Sequence, residues 1–301
     1  MKIGIDLGGS HIAIGVVDEN GRIIEKVEVR ILEKDKNKIT DFIENYITDS
    51  VNEFIEKYEI SAIGIAIPGT ISDTSIIKSV NLGIENYNIV QRLNEKINLP
   101  IKIKNDAKCA ALAENSFGAL KKYKRSIFLT LGTGIGGAAI IDDKLLNTGN
   151  LPGMEVGHMI ISKDGLPCKC GNKGCFEKYA SMKALKNNLR DTLQLTEMTR
   201  GEELLEIIRN NNESNPNYEK IEQVIKEFIK NLSIGIANLV NIFEPEAIVI
   251  GGSFVYFEDV LLDRLKNYIQ EEKLLFNERN DLEINLAVLR NDAGIIGSTL
   301  I

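Results

Sequence analysis

Two nearby segments of the chain read Glu155-Val156-Gly157-His158 and Cys168-Lys169-Cys170-Gly171-Asn172-Lys173-Gly174-Cys175-Phe176-Glu177. They contain three of the four cysteines and one of the two histidines. Three thiolates and one imidazole can complete a tetrahedral zinc site, and the glycines let the chain bend tightly enough for the sulfurs to meet one ion. The pattern therefore predicts a zinc ion bound by four side chains: His158, Cys168, Cys170 and Cys175.

Two other interpretations of these cysteines are weaker. Chance cysteines in a loop are not expected to show the spacing CxCxxxxC with glycine at both bends. A catalytic zinc needs an open coordination position, and four strong ligands leave none. Since Glu155 and Glu177 flank the cluster, a structural zinc would hold two carboxylates beside a site for a polar small molecule. The remaining thiol, Cys109, falls in an apolar helical pattern and is predicted to be a small core residue.

Length and charge limit the class of protein. A chain of 301 residues is long enough for two domains, each with its own core. The formal charge of −7 disfavours nucleic acid or an anionic membrane as the main partner. The N-terminus does not resemble a signal peptide, and no apolar run approaches the roughly 20 residues of a membrane span. We therefore expect a cytoplasmic protein, in which cysteines serve as metal ligands rather than disulfides.

The spacing of apolar residues predicts an α/β protein of two halves. In the first half it indicates strands over 2–7, 11–18, 22–31, 61–67 and 101–104, and helices over 38–58, 88–97 and from Asn105-Asp106 to near Gly118. In the second half it indicates strands over 126–131, 138–141, 247–250 and 282–288, a long helix over 218–243 and a terminal helix over 292–300.

Glycine-rich turns interrupt the strands at three places: Asp6-Leu7-Gly8-Gly9-Ser10, 132–137 and Gly251-Gly252-Ser253. Glycine lets backbone N–H groups approach phosphate oxygens, Ser10 adds a hydroxyl donor, and Asp6 could hold a hydrated magnesium ion. Each turn alone is also compatible with a simple chain reversal. The second lies between two strands and lacks the strand–turn–helix context of a Walker or dinucleotide-binding loop.

Taken together, these motifs resemble the ROK family of sugar kinases, within the actin–hexokinase superfamily. The resemblance spans nearly the whole chain and also includes Asn105-Asp106-Ala107 and Glu244-Pro245-Glu246-Ala247-Ile248-Val249-Ile250-Gly251-Gly252. It implies two ribonuclease-H-like α/β domains flanking a cleft, with ATP on one side and a hexose at the bottom. The implied domains are a small one over 1–116 and a large one over 117–301 that carries the zinc loop, leaving open that the terminal helix packs back on the small domain.

The resemblance also implies roles for individual residues. Asp106 would be the catalytic base that takes the proton of the sugar hydroxyl, although an aspartate at a helix start is also a common N-cap. The implied substrate-binding residues are Gly69, Asn105, Asp106, Glu155, His158 and Glu177. The implied ATP-binding residues are Asp6, Gly8, Gly9, Ser10, Gly132, Thr133, Gly134, Gly251 and Gly252.

The chain departs from the family pattern at several positions. Met154 stands where a glycine usually precedes Glu155, in the loop 148–154. His11 stands where lysine is common, Ser10 replaces threonine, and the chain has no tryptophan. Met154 and the missing tryptophan fall near the implied sugar site, so these two departures bear on which sugar is the substrate.

The implied activity is ATP-dependent phosphorylation of a hexose at the C6 hydroxyl, with glucose as the first candidate. N-acetylmannosamine or another hexose or amino sugar is the alternative substrate. A sugar-responsive repressor would need a helix-turn-helix ahead of the first strand, for which a strand starting at Lys2 leaves no room, and a non-catalytic sensor is disfavoured by Asp106. The expected cofactors are ATP, Mg²⁺ and structural Zn²⁺, the expected role is in carbohydrate metabolism such as glycolysis, and the expected assembly is a homodimer or homotetramer.

Overall fold

The computed structural model describes residues 1–146, 153–196, 199–276 and 281–301. The chain forms two compact units. The first contains Met1–Tyr123, Ala138–Met154 and Val288–Ile301, and the second contains Lys124–Gly137 and Glu155–Ala287. The two units alternate along the sequence, so they are not separated at one point of the chain. The domain boundary between residues 116 and 117 stays a prediction.

Strands and helices alternate along the chain in the manner of an α/β protein. In chain order they are β1 (Lys2–Leu7), β2 (His11–Val17), β3 (Ile23–Arg30), α1 (Ile39–Lys57), β4 (Ile63–Ile67), β5 (Thr70–Ile71), β6 (Ile76–Ser79), β7 (Ile84–Tyr87), α2 (Ile89–Asn94), β8 (Ile101–Asn105), α3 (Asp106–Phe117), β9 (Arg125–Leu131), β10 (Ile135–Ile141), β11 (Lys144–Leu145), α4 (Glu177–Ala180), α5 (Met182–Leu193), α6 (Gly201–Arg209), α7 (Tyr218–Phe243), β12 (Ala247–Gly252), α8 (Glu258–Glu271), β13 (Glu283–Leu286) and α9 (Ala293–Ser298).

A five-stranded sheet with the order β3-β2-β1-β4-β8 forms the centre of the first unit. The first three strands are antiparallel because short turns join them, whereas β4 lies parallel to both β1 and β8. Helix α1 buries Ile43, Ile47 and Phe54, which recur at helical spacing, in the apolar core of this unit. The edge strand β3 alternates partly buried with exposed residues, as expected for a strand with one face toward solvent.

A second five-stranded sheet has the order β11-β10-β9-β12-β13. Strands β9, β12 and β13 are parallel, and the first five residues of β12 are all buried. Helix α7, 26 residues long, buries an apolar stripe that includes Ile225, Leu232 and Ile236. No helix among the described residues is long and apolar enough to cross a membrane.

The elements confirm the α/β prediction and most of the predicted strands and helices. Strand β10 starts at Ile135, earlier than predicted, because it begins inside the glycine-rich turn. Gly251 and Gly252 complete β12, and a 3-10 turn over Ser253–Phe257 follows before α8. The small sheet β5-β6-β7 was not predicted, since its strands are only two to four residues long.

Helix α9 returns the end of the chain to the first sheet. It lies so close to β4 that a Cβ at Gly64 would collide with the carbonyl oxygen of Ser298. The buried Ser298 hydroxyl accepts a hydrogen bond from the Ile5 N–H at 3.1 Å and donates to the Ile295 carbonyl at 2.8 Å. The C-terminal helix is therefore an integral part of the core beneath β1 and β4.

Candidate active site

Two carboxylates of the first unit lie at the ends of strands. Asp6 is the second-last residue of β1, and Asp106 begins α3 directly after β8. Burial raises the pKa of Asp6 to about 7, with a further contribution from the negative charge of Asp106. Burial also raises the pKa of Asp106, against the opposing hydrogen bond that its Oδ1 accepts from the Ala107 N–H at 2.9 Å. The two side chains therefore form an electrostatically linked acidic pair.

The N-cap of α3 is Asn105, because its Oδ1 accepts a hydrogen bond from the Lys108 N–H at 3.3 Å. Its Nδ2 donates to the Gly69 carbonyl at 3.2 Å, which fixes the turn that follows β4. Gly69 adopts φ +106°, a conformation that strongly favours glycine. Asn105 is the N-cap of α3, so Asp106 is not needed for that role. The hydrogen bonds of Asn105 also keep the Gly69 turn next to the start of α3, where Asp106 lies.

The first glycine-rich turn joins β1 to β2. The Gly8 N–H donates to the His11 carbonyl at 2.9 Å, and the Ser10 carbonyl accepts from the Ile31 N–H at 2.9 Å. The Ser10 hydroxyl lies 3.4 Å from Nδ1 of His11. Gly9 and Ser10 thus lie in a tight turn a few residues after Asp6, and such a turn is suited to binding phosphate oxygens.

In the second unit the four predicted zinc ligands converge. Their donor atoms all lie within 4.8 Å of one another, with Cys170 Sγ 3.5 Å from Cys175 Sγ and Cys168 Sγ 3.7 Å from Nδ1 of His158. Zinc–sulfur bonds of about 2.3 Å in a tetrahedron place ligand atoms about 3.8 Å apart. The four donor atoms and their spacing therefore fit the complete tetrahedral coordination of one zinc ion.

Glu177 connects this cluster to the second glycine-rich turn. Its Oε1 lies 3.4 Å from Cys168 Sγ. Its Oε2 lies so close to Gly134 that a Cβ on that glycine would be 2.5 Å from it. Gly157 packs more closely still, since a Cβ there would lie 2.1 Å from the carbonyl oxygen of Ile135. The zinc cluster, Glu177 and the turn 132–137 consequently form one continuous structure.

The remaining predicted residues of the second unit lie at the ends of its strands and beside the zinc cluster. Glu155 precedes the 3-10 turn Val156–His158, and its carbonyl accepts the His158 N–H at 2.9 Å. Thr133 is exposed at the tip of its turn. Gly252 adopts φ +71°, and the following Ser253 hydroxyl donates to the Leu131 carbonyl at 3.5 Å, so the ends of β9 and β12 lie side by side.

The structure gathers the predicted site residues into two sets. The first unit contains Asp6, Gly8, Gly9, Ser10, Gly69, Asn105 and Asp106. The second unit contains Gly132, Thr133, Gly134, Glu155, His158, Cys168, Cys170, Cys175, Glu177, Gly251 and Gly252.

Comparison with known proteins decides the family. A family model described as ROK family matches residues 2–301. The chain belongs to the ROK family. It is 30% identical to a glucokinase of Streptomyces coelicolor over 314 aligned residues, which cover 99% of this chain and 96% of that protein. A xylose repressor of Caldicellulosiruptor bescii is 32% identical over 79% of this chain and 61% of the repressor.

Solved structures agree with this assignment. A ROK family glucokinase from Streptomyces griseus, in complex with glucose and AMPPNP, superposes with a TM-score of 0.81 at 28% identity, covering 99% of this chain and 97% of that one. The prediction of an actin/hexokinase-type fold with two sheet-containing domains is thereby confirmed. The proteins that this chain resembles therefore include both glucokinases and a repressor.

Sequence reasoning missed one contact of this ROK site. A Cβ on Gly294 of α9 would lie 2.5 Å from the carboxyl carbon of Asp6, so the backbone of α9 lies directly behind that carboxylate. The only local signal was glycine within an otherwise helical stretch, which often marks close packing. The charges of Lys26 and Glu28, on β3, also act on the pKa of Asp6, and no sequence pattern connects them to β1.

Proposed function

We propose that the protein transfers the γ-phosphoryl group of ATP to a hydroxyl of a hexose, with C6 of glucose as the first acceptor to test. The observation that carries this proposal is Asp106, a carboxylate released from helix capping by Asn105 and raised in pKa by burial. A carboxylate of raised pKa at a strand end suits a general base that removes a hydroxyl proton. The glucokinase relatives that match the whole chain support the same reaction.

In this proposal each side chain has a distinct role. Asp106 orients the sugar hydroxyl and accepts its proton as the oxygen attacks the γ-phosphorus. Glu155, His158 and Glu177 bind further sugar hydroxyls, since carboxylates accept and a ring N–H donates such bonds. The backbone N–H groups of the three glycine-rich turns, with Ser10 and Thr133, bind the phosphates of ATP. Magnesium would neutralise phosphate charge, and Asp6 would hold its water shell.

Zinc has a structural role in this proposal. Its four proposed ligands all lie along the chain between the proposed sugar ligands Glu155 and Glu177. A closed set of four ligands has no position for a reacting group, so the ion would order the loop and hold the two carboxylates in place. His158 would bind zinc through one ring nitrogen and present the other to the sugar.

A sugar panel tests the proposed activity. Purified protein with ATP and Mg²⁺ is assayed for ADP release against glucose, mannose, galactose, fructose, N-acetylglucosamine, N-acetylmannosamine and xylose, and the position of the new phosphate is determined by NMR. Turnover of glucose at C6 is expected. Preference for N-acetylmannosamine would move the activity to the alternative kinase. Xylose has no C6 hydroxyl and serves as a sugar that can bind but cannot be phosphorylated at C6. If sugars of the panel bind but none is phosphorylated, the protein is better explained as a sugar sensor.

The variant Asp106→Asn is the matched control for the panel. It keeps the size and polarity of the side chain but removes the base, so turnover should fall by about 10²–10⁴-fold, whereas hexose binding measured by calorimetry should persist. Near-normal turnover would remove Asp106 from the mechanism. Cytoplasmic location, a role in carbohydrate metabolism and assembly as a homodimer or homotetramer stay predictions.

A further inference from the structure

A buried carboxylate outside the proposed site, Glu114, accepts hydrogen bonds only from backbone groups among the contacts described for it. Its Oε2 accepts from the Ala119 N–H at 2.7 Å, and its Oε1 accepts from the Leu289 N–H at 2.8 Å. The side chain is fully buried. Burial raises the pKa of Glu114, and the N–H groups of Ala119, Leu289 and Val288 oppose that shift. Each carboxylate oxygen therefore accepts a backbone N–H, and only a side chain with two acceptor oxygens can satisfy both donors.

The chain around Glu114 is shaped to hold this carboxylate. Gly118, which ends α3, leaves the space that the Oε2 atom fills, because a Cβ there would overlap it. The backbone carbonyl of Glu114 accepts from the Gly118 and Leu120 N–H groups, each at 3.0 Å. The last turn of α3 is thus built around one side chain that reaches out to a segment 175 residues away.

That distant segment leads directly into α9. Val288 begins the last stretch of the first unit, and a 3-10 turn over Arg290–Asp292 connects it to α9. Helix α9 then packs on α3 so closely that a Cβ on Gly297 would collide with the Cys109 carbonyl. Glu114 consequently joins α3 to the segment that sets where α9 begins.

Helices α3 and α9 each carry or contact one carboxylate of the acidic pair. Asp106 is the first residue of α3, and Gly294 of α9 lies against the carboxyl group of Asp6. A shift of α9 relative to α3 would therefore change how the two carboxylates face each other. A displacement of about 1 Å in a reacting group can cost about 10²-fold in rate.

We propose that Glu114 is a positioning residue, which fixes the Asp6–Asp106 pair by tying the end of α3 to the start of α9. The catalytic part of this inference rests on the proposed kinase function. Glutamine cannot replace Glu114, since a carboxamide offers one acceptor oxygen, and its NH₂ group would face a backbone N–H. Of the proposed sugar ligands, only Asp106 and its neighbour Asn105 lie at the start of α3, whereas Glu155, His158 and Glu177 lie on neither helix. Turnover, which depends directly on Asp106, should therefore suffer more than sugar binding.

The test compares Glu114→Gln with Glu246→Ala. Glu246 also accepts two backbone N–H groups, from Lys124 and Arg125 at 2.8 Å each, but it belongs to the second unit, whereas α3 and α9 belong to the first. Both variants should melt at lower temperature. Well below that temperature, Glu114→Gln should lose about 10–100-fold in kcat, with hexose affinity within about threefold of wild type, whereas Glu246→Ala should keep kcat within about twofold.

Hydrogen exchange provides a readout that does not depend on activity. In Glu114→Gln, amides of 288–298 and of the first turn of α3 should exchange faster, whereas in Glu246→Ala they should not. If wild type phosphorylates no sugar, the kinase proposal fails and exchange alone decides the link between the helices. Should Glu114→Gln not fold, Gly118→Ala, whose Cβ displaces the same carboxylate, takes its place. Unchanged kcat in an active enzyme, or unchanged exchange at 288–298, would overturn the proposal.

Discussion

Replacing Gly134 by alanine tests the proposed role of Glu177 with a single added methyl group. The new Cβ would lie 2.5 Å from Oε2 of Glu177, a separation that real Cβ atoms essentially never show. The carboxylate must therefore move away by about half an ångström or more. Since the obstructing atom is the end of a flexible side chain, the protein can accommodate the methyl group without moving its backbone.

The expected cost falls on binding rather than on folding. A shifted rotamer of Glu177 costs about 0.5–1.5 kcal/mol of unfolding free energy. A hydrogen bond between a carboxylate and a sugar hydroxyl contributes about 1.5–3 kcal/mol. If the displaced carboxylate loses that bond, hexose affinity should fall by about 10–150-fold, with only a small change in melting temperature.

The assay is calorimetric titration of the hexose without nucleotide, together with thermal unfolding. Gly132→Ala is the matched control, because its Cβ would meet no atom of the described residues within 4 Å. This control should bind hexose normally and, if backbone N–H groups of the turn hold phosphate, should bind an ATP analogue more weakly. Hexose affinity of Gly134→Ala within about twofold of wild type would show that Glu177 does not bind the sugar in the position described.

Three further predictions concern metal, pH and backbone strain. Protein purified without added zinc should contain one zinc per chain, and the double variant Cys170→Ser, Cys175→Ser should contain none and lose hexose affinity and thermal stability together, with ATP-analogue affinity less affected. Folding raises the pKa of Asp6 from 3.8 to about 7, so its contribution to stability is present below pH 4 and is lost as pH rises toward 7. Measured by urea unfolding without magnesium, zinc-loaded wild type should lose up to about 4 kcal/mol over that range relative to Asp6→Asn. Met154→Gly should raise the unfolding free energy by up to about 1 kcal/mol, because Met154 adopts φ +66°, and a lower melting temperature would contradict this reasoning.

How much of the fold could be predicted depended on how local its signals are. The zinc ligands lie within one short stretch, so their convergence could be inferred from spacing and donor chemistry. Helix α7 and strands β1 to β3 were predictable from apolar periodicity over six or more residues. The sheet β5-β6-β7 could not be predicted, since strands of two to four residues are too short to show a period.

Parts of the candidate site depended on distant contacts that no pattern carries. Asn105 was predicted as a sugar ligand, and the structure shows its amide capping α3 and bonding Gly69. Glu114 lies in an alanine-rich helix whose sequence gave no reason to single it out. Its partner Leu289 is 175 residues away and contributes a backbone N–H, a group that every residue except proline possesses. Such a contact is visible only in three dimensions.

Met154 adopts a backbone conformation that is usually found at glycine. The sequence lacks the glycine expected before Glu155, yet the structure retains the left-handed conformation there, at φ +66°. A non-glycine residue in that region costs about 1–2 kcal/mol, and such strain persists only where the surroundings determine the backbone path. The next residues along the chain are Glu155 and the turn that carries His158, one of the four residues of the zinc cluster. Met154 therefore keeps the backbone conformation that glycine would adopt with less strain, directly before the turn that carries His158.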